Sequence, residues 1–316
     1  MTEPLFLQPI FKERIWGGST LKEEFDYPIP SNHTGECWAI SAHKNGQSTV
    51  TNGTYAGKSL HQVWEKAPHL FGHYSSEVFP LLTKILDANK DLSVQVHPDD
   101  SYAHEHEGPQ EFGKTECWYI IDCEPNAELI FGHHAQTKEE FERLMEEGRW
   151  EQLLRRVPIK PGDFFYVPSG TIHALCEGTL VLETQQSSDT TYRVYDYDRT
   201  DNEGNKRELH LQKAMDVTTI PHEDNELSFV EEHRTGAVIT TLVQAEFFQV
   251  FKYDINGAAS FTQNGYFQLF SVLDGQANIS VGSDSYSINK GDHFILPNDV
   301  SNFTIDGNAT IIVSQP

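Results

Sequence analysis

Gln95, His97, Glu116 and His173 are the residues of this chain whose types and spacing most directly imply chemistry. Gln95 and His97 stand two apart in LSVQVHPDD, Glu116 sits in KTECW, and His173 closes PGDFFYVPSGTIH. In LSVQVH the apolar Leu92, Val94 and Val96 alternate with Ser93, Gln95 and His97, so a strand of period two turns all three polar side chains to one face. Two imidazoles, one carboxylate and one amide oxygen suit zinc or another borderline divalent cation, with room left for water or a substrate oxygen. No thiolate is needed. Cys37, Cys117, Cys123 and Cys176 show neither CxxC spacing nor the density of a disulfide scaffold, and read as reduced, small core residues.

His173 must be delivered by the elements before it. Pro161 and Gly162 make a turn, Phe164, Phe165, Tyr166 and Val167 form a strand, and Gly170 permits the reversal that aims His173 inward. The spacing Gly162, five residues, Pro168, one residue, Gly170, two residues, His173 resembles the second motif of the cupin superfamily, in which such a turn presents a metal-binding histidine. One departure is Glu177, where that motif usually carries asparagine.

Together, QVHPDD, Lys114 and Glu116 of KTE, SGTIHAL and ETQQSSDTTYRVYDYDR resemble type I mannose-6-phosphate isomerase in its short, Firmicutes-type form, over roughly residues 1 to 230. The resemblance implies one zinc ion per chain, held by Gln95, His97, Glu116 and His173, with the family's essential arginine at Arg193. Trp16 with Gly17, Glu36 and Trp38 in GECWAIS, and Lys84 in FPLLTKILDANKDLSVQVHP are weaker echoes, which place Trp16 and Lys84 at the substrate. Lys114, two residues from Glu116, shares its face if the strand is regular and is a candidate to contact substrate oxygens or carry a proton.

Plainer readings stand beside these. A lone histidine on a strand is more often structural than a ligand, and the chain has fifteen. His104, His106, His133 and His134 lack any accompanying turn pattern and read as solvated surface. Arg193 has Asp196 and Asp198 nearby in sequence, so an exposed ion pair worth little is its bland alternative.

Coarse organisation follows from periodicity. Ser59 is placed to cap a helix in SLHQVWEKAPHLF in which Leu60, Val63 and Trp64 share a face. TKEEFERLMEEGRWEQLLRR reads as a helical insert near 137–156, with Thr137 and Glu140 as a capping box and Phe141, Leu144, Met145 and Trp150 at helical spacing. The polar stretch DVTTIPHEDNELSFVEEHRTG marks a boundary. Beyond it, FQLFSVLDGQANISVGSDSYSINKGDHFILPNDVSNFTI repeats the rhythm of strand, Asp-Gly turn, strand, Gly-Asp turn and strand, with Gly291 and Pro297 echoing Gly162 and Pro168. His293 precedes the turn, so this repeat is expected to hold no metal. The fold expected is mainly β: two cupin-like jelly-roll barrels, a catalytic unit over residues 1–235 with its helical insert, and a second over 236–316.

The net charge of −24 argues against nucleic acid or an anionic membrane as partner, because either would be repelled at long range. A sugar phosphate would then need a local basic cluster, for which Arg14, Lys84, Lys114, Arg193 and Arg199 are available. No segment has the apolar length of a membrane span, and MTEPLFLQPIFKER lacks the pattern of a secretory leader, so a cytoplasmic monomer is expected. The function expected is aldose–ketose isomerisation between mannose 6-phosphate and fructose 6-phosphate through a cis-enediol. A metal-dependent cupin oxygenase and a noncatalytic sugar-phosphate-binding cupin are the alternatives from other classes.

Overall fold

The computed structural model describes residues 3–200, 203–263 and 265–316. Its strands form three antiparallel sheets. A six-stranded sheet runs, in spatial order, Phe164–Val167, Glu116–Cys123, Thr179–Gln186, Leu81–Ala88, Thr34–Ile40 and Ile10–Gly18. A five-stranded sheet runs Tyr192–Tyr195, Val94–Val96, His173–Leu175, Glu128–His133 and Leu154–Pro158. Leu86, Trp118, Ile120 and Val181 of the first and Leu129, Phe131 and Leu175 of the second form one buried cluster. The two sheets therefore face each other across an apolar layer, and residues at its polar end are brought together from both.

Helices cover the outer face of the five-stranded sheet. Phe141 and Leu144 of Lys138–Glu146, and Ala214 and Met215 of Leu211–Val217, pack against Val94, Val96, Ile130, Ala174 and Val194. This covering explains why alternate residues of LSVQVH are apolar: Val94 and Val96 are fully buried behind the sheet while Gln95 faces the cavity on the other side.

The nine-stranded sheet is built mostly from the C-terminal part of the chain, with the 14-residue strands Gln249–Thr262, Gln268–Val281 and Asn302–Gln315 at its centre. The strand Leu5–Gln8 joins it by pairing with His293–Leu296, and Val230–Arg234 forms its edge. Leu242, Val250, Leu269, Ile295 and Ile312 of this sheet, with Phe248 and Phe267 beside its strands, share a core with Cys37, Leu81, Ile85, Cys117 and Leu182 of the six-stranded sheet. The outer face of the six-stranded sheet is thus covered by the nine-stranded one.

Several local expectations are corrected. The helix Leu60–Lys66 carries the capping box, Ser59 with Gln62, whereas Thr137 caps through Glu140 N alone and the Glu140 carboxylate turns back to Gln136 N. The insert is not one helix: Gly148, at φ 65°, ends the first, Trp150–Leu153 makes a single turn, and Leu154–Pro158 is a strand. Two β-branched or bulky positions there, Leu154 and Val157, find a sheet edge to pair with, and that pairing overrides helical spacing. Asp274-Gly275 is not a hairpin turn but lies inside Gln268–Val281, at an irregularity of register with Asn302–Gln315. His133 is buried, not surface, with Nε2 at 2.9 Å from Thr219 O.

Candidate metal and sugar-phosphate site

His97, Glu116 and His173 converge, each almost wholly buried, with ligand atoms all within 4.8 Å of one another. Glu116 opens the strand Glu116–Cys123 of the six-stranded sheet, while His173 opens His173–Leu175 and His97 follows Val94–Val96 in the five-stranded sheet. The site thus bridges the two facing sheets. Gly162 and Gly170, at φ 90° and 85°, supply the left-handed turns on either side of Phe164–Val167 that a side chain with Cβ would strain.

Hydrogen bonding sets which imidazole nitrogen is free. His97 Nδ1 lies 2.9 Å from Thr190 O and His173 Nδ1 lies 2.9 Å from Thr171 O. A carbonyl oxygen only accepts, so each Nδ1 carries the hydrogen and each Nε2 presents a lone pair to Glu116. His97 Nε2 is 3.5 Å from Glu116 Oε2 and His173 Nε2 is 3.4 Å from Glu116 Oε1. Three acceptors facing one another call for a cation between them, and Lys114 reaches only the side of His97 Nε2 and Glu116 Oε2. Glu116 Oε1 and His173 Nε2, which face each other, are buried without a hydrogen-bond donor. Ligands held at about 2.1 Å in a tetrahedral set stand roughly 3.4 Å apart, so the donor set fits zinc.

Electrostatics point the same way. Burial holds the His97 imidazole well below its ordinary range, with nearby Lys114 adding to the effect, and burial pushes His173 down to about 4. Both therefore stay neutral, as a metal ligand must. Burial and the neighbouring Glu183 raise Glu116, against the pull of Lys114. Lys114 Nζ is 3.0 Å from Glu116 Oε2 and 3.1 Å from His97 Nε2, so it stands at the ligands themselves.

Above them opens a cavity of about 460 Å³, lined among others by Trp16, Lys84, Gln95, Lys114, Arg193 and Arg207. Gln95 is the cross-strand partner of both His173 and Arg193. Trp16 reaches the cavity because Gly17 lets its strand close on its neighbour, where a Cβ would lie 2.3 Å from Gly35 N. Of the residues singled out from sequence, Trp16, Lys84, Gln95, Lys114 and Arg193 line this cavity beside His97, Glu116 and His173, whereas Arg199 does not and is tied to Asp196 and Asp91 O. Arg193 does not pair with Asp196 or Asp198. Its Nε donates to Ser93 Oγ at 3.2 Å and its Nη1 to Glu208 O at 2.8 Å, while Asp196 is taken by Arg199 and Arg207.

Sequence reading missed three carboxylates and an arginine. Glu183 is 3.3 Å from Lys84 and accepts from Trp118 Nε1 at 3.1 Å. Glu36, noted only as an echo, is held by Arg14 at 2.8 and 3.0 Å and by Trp38 Nε1 at 2.6 Å. Asp189 lines the cavity and is held by a neutral partner, Asn45 Nδ2 at 2.9 Å. Arg207 lies in an unremarkable polar run. The one available signal was Glu183 itself, an ionisable residue in the otherwise uncharged strand TLVLETQQ.

Facing sheets that bring together two imidazoles and a carboxylate, one imidazole delivered by a glycine-punctuated turn, define a cupin with a candidate metal site. The chain matches the family description "Phosphomannose isomerase type I, catalytic domain" over residues 5–119 and "Mannose-6-phosphate isomerase, cupin domain" over 238–316. It is 57% identical to the probable mannose-6-phosphate isomerase GmuF of Bacillus subtilis strain 168 across 100% of both chains. It is 54% identical to mannose-6-phosphate isomerase ManA of the same organism across 99% of each. A crystal structure of mannose 6-phosphate isomerase from Bacillus subtilis superimposes with a TM-score of 0.97 at 55% identity, covering 99% of both chains. The chain belongs to the type I mannose-6-phosphate isomerase family.

Proposed function

We propose that this protein is a zinc-dependent isomerase that interconverts mannose 6-phosphate and fructose 6-phosphate through a cis-enediol. The observation that carries the reading is the convergence of His97 Nε2, His173 Nε2 and the Glu116 carboxylate, with His173 Nε2 left without a hydrogen-bond partner, beside a cavity rich in cations. Gln95 completes the ligand set, one ion per chain, and its neutrality leaves the ion only one anionic ligand. A divalent ion bound there supplies Lewis acidity toward the carbonyl and enediol oxygens of a substrate.

The chain's own residues do the remainder. Lys114 adds a fixed positive charge beside the ligands and is placed to hand a proton to a substrate oxygen. Asp189 is the carboxylate we assign to moving the carbon-bound proton: of the other three that line the cavity, Glu36 and Glu183 are tied to Arg14 and Lys84, and Glu13 is held at the exposed rim by Ser31. Against the effect of burial, Lys84 and Asn45 hold Asp189 below the ordinary carboxylate range, so it is ionised at neutral pH. Arg193, a guanidinium with no carboxylate partner in its hydrogen bonds, stabilises negative charge on the bound substrate. Trp16 and Lys84 complete the binding surface.

The working arrangement we propose is a catalytic unit, residues 1–235, and a metal-free cupin-like unit, residues 236–316, in a cytoplasmic monomer with a sugar phosphate as its partner and neither nucleic acid nor membrane. No helix among the described residues is long and apolar enough to cross a membrane. His293, the second unit's imidazole near the repeated turn, is engaged at both nitrogens, by Tyr27 Oη at 2.8 Å and Ser271 Oγ at 2.9 Å.

The test is reconstitution. Chelator-stripped protein is expected to regain fructose 6-phosphate isomerisation at about one zinc per chain, and His97→Ala and Glu116→Ala to remain folded while losing metal and activity. Full activity in those variants after chelation would refute the site. Oxygen consumption would favour the oxygenase instead, and sugar-phosphate binding without turnover the noncatalytic binder.

A further inference from the structure

A row of four side chains crosses neighbouring strands of the six-stranded sheet, and its two middle members line the cavity. Trp38 is the cross-strand partner of Lys84, Lys84 of Glu183, and Glu183 of Trp118. Such partners stand side by side on one face of a sheet, so an ion pair lies between two indoles. At one end Lys84 Nζ sits 5.1 Å over the Trp38 ring. At the other, Trp118 donates its indole N–H to Glu183 Oε2 at 3.1 Å.

Trp118 has a second neighbour. It follows Glu116 by two residues and shares its face, it is 1% exposed, and its ring stands edge-on to His173 at 5.3 Å between centroids and 71° between planes. The His97 ring lies against His173 as well, at 4.7 Å. The Thr171 carbonyl holds His173 Nδ1, which with the covalent bond at Cγ fixes one side of the imidazole and leaves its Nε2 side to rock on that pivot. The Trp118 edge and the His97 ring close off that pivot.

We propose that Trp118 is a positioning residue that serves two groups by separate parts: its ring holds the His173 imidazole, and its indole N–H holds Glu183 and, through it, Lys84. The proposal rests on the metal-site reading above. It predicts that two substitutions at one position fail differently. Trp118→Phe keeps an aromatic edge and loses only the donor. Trp118→Leu loses both.

The experiment titrates chelator-stripped protein with Zn²⁺ against a chromophoric competitor, alongside steady-state kinetics on fructose 6-phosphate and melting curves. Trp118→Phe is expected to bind zinc within about twofold of wild type while kcat falls about tenfold at little changed KM, because the ion pair loses a charge-assisted donor. Trp118→Leu is expected to bind zinc roughly tenfold or more weakly, the usual loss when a ligand's supporting partner is removed. Unchanged kcat and zinc affinity in Trp118→Phe, with only a lower melting temperature, would show a purely structural residue and overturn the proposal. Equal loss of zinc affinity in both variants would overturn the division of roles. If Trp118→Leu does not fold, the Phe variant decides alone, since it must separate kcat from zinc affinity. Wild type and His97→Ala run in parallel. If wild type shows no isomerisation, or His97→Ala keeps its zinc, the metal-site reading fails whatever Trp118 does.

Discussion

Replacing Lys84 with methionine separates what the buried ion pair does for stability from what it does for turnover. The Lys84 and Glu183 side chains are 5% and 4% exposed, with charged atoms 3.3 Å apart. Methionine keeps much of the stem volume and removes the ammonium, which leaves a buried carboxylate held by Trp118 Nε1 at 3.1 Å. Breaking one side of a buried pair typically costs about 3–5 kcal/mol. A hydrogen bond to a charged group recovers part of that, so the loss expected for Lys84→Met is near the lower end, about 3 kcal/mol. Adding Glu183→Gln removes the stranded charge, and the double variant should return to within about 1 kcal/mol of wild type. Turnover should behave otherwise. Lys84 lines the cavity, and a cation lost from beside the substrate is lost in both variants, so isomerisation should stay down by about two orders of magnitude. Urea unfolding of the four proteins of the cycle and a coupled fructose 6-phosphate assay measure both quantities. A loss under about 1 kcal/mol in Lys84→Met, as an exposed pair would give, would refute the burial argument. Turnover recovering along with stability would refute the catalytic one.

Arg193→Ala should lower turnover by about two to three orders of magnitude with zinc content and melting temperature near wild type, and Arg193→Lys should fall between them because it keeps charge and loses the planar fork; near-normal turnover in the alanine variant would remove Arg193 from the mechanism. Acid should destabilise the chelator-stripped protein before it protonates exposed carboxylates. Burial lowers His97 and brings His173 from 6.5 to about 4 in the folded state, so the unfolded chain binds two protons that the native one refuses; the raised Glu116 offsets one of them, and the net stability present above pH 6.5 is lost as pH falls toward 4. Urea midpoints flat from pH 7 to 4.5 would contradict this. Unphosphorylated mannose should be a very poor substrate, since the acidic chain must recognise an anion through the short-range cations of the cavity; comparable kcat/KM for mannose and its 6-phosphate would sink the idea.

The strand that carries Gln95 and His97 and the turn that carries His173 were legible because their geometry is local. Period two in LSVQVH, glycines at the two reversals of PGDFFYVPSGTIH and a run of apolar residues between them are each decided within a few residues. The same local reasoning failed for TKEEFERLMEEGRWEQLLRR. Its second half keeps helical spacing, but Leu154–Pro158 lies where the strand Glu128–His133 offers an unpaired edge, and the hydrogen bonds available there outweigh a weak propensity. His133 read as surface for a similar reason: its burial depends on a segment some eighty residues later, at Thr219.

By itself the sequence determined the mainly β class, the turn that delivers His173, the helix capped by Ser59 and the residue types able to hold a divalent ion, because each is a matter of neighbours along the chain. Only the tertiary structure decided which charges meet. Glu183 reaches Lys84 and Trp118 through cross-strand register, Arg193 finds Ser93 across a hundred residues, and Asp196 is claimed by Arg199 and Arg207 instead. Register sets such pairings, and it follows from how whole sheets bury their apolar faces. A carboxylate in a strand therefore shows in sequence that it is buried at a cost, but not which cation offsets it.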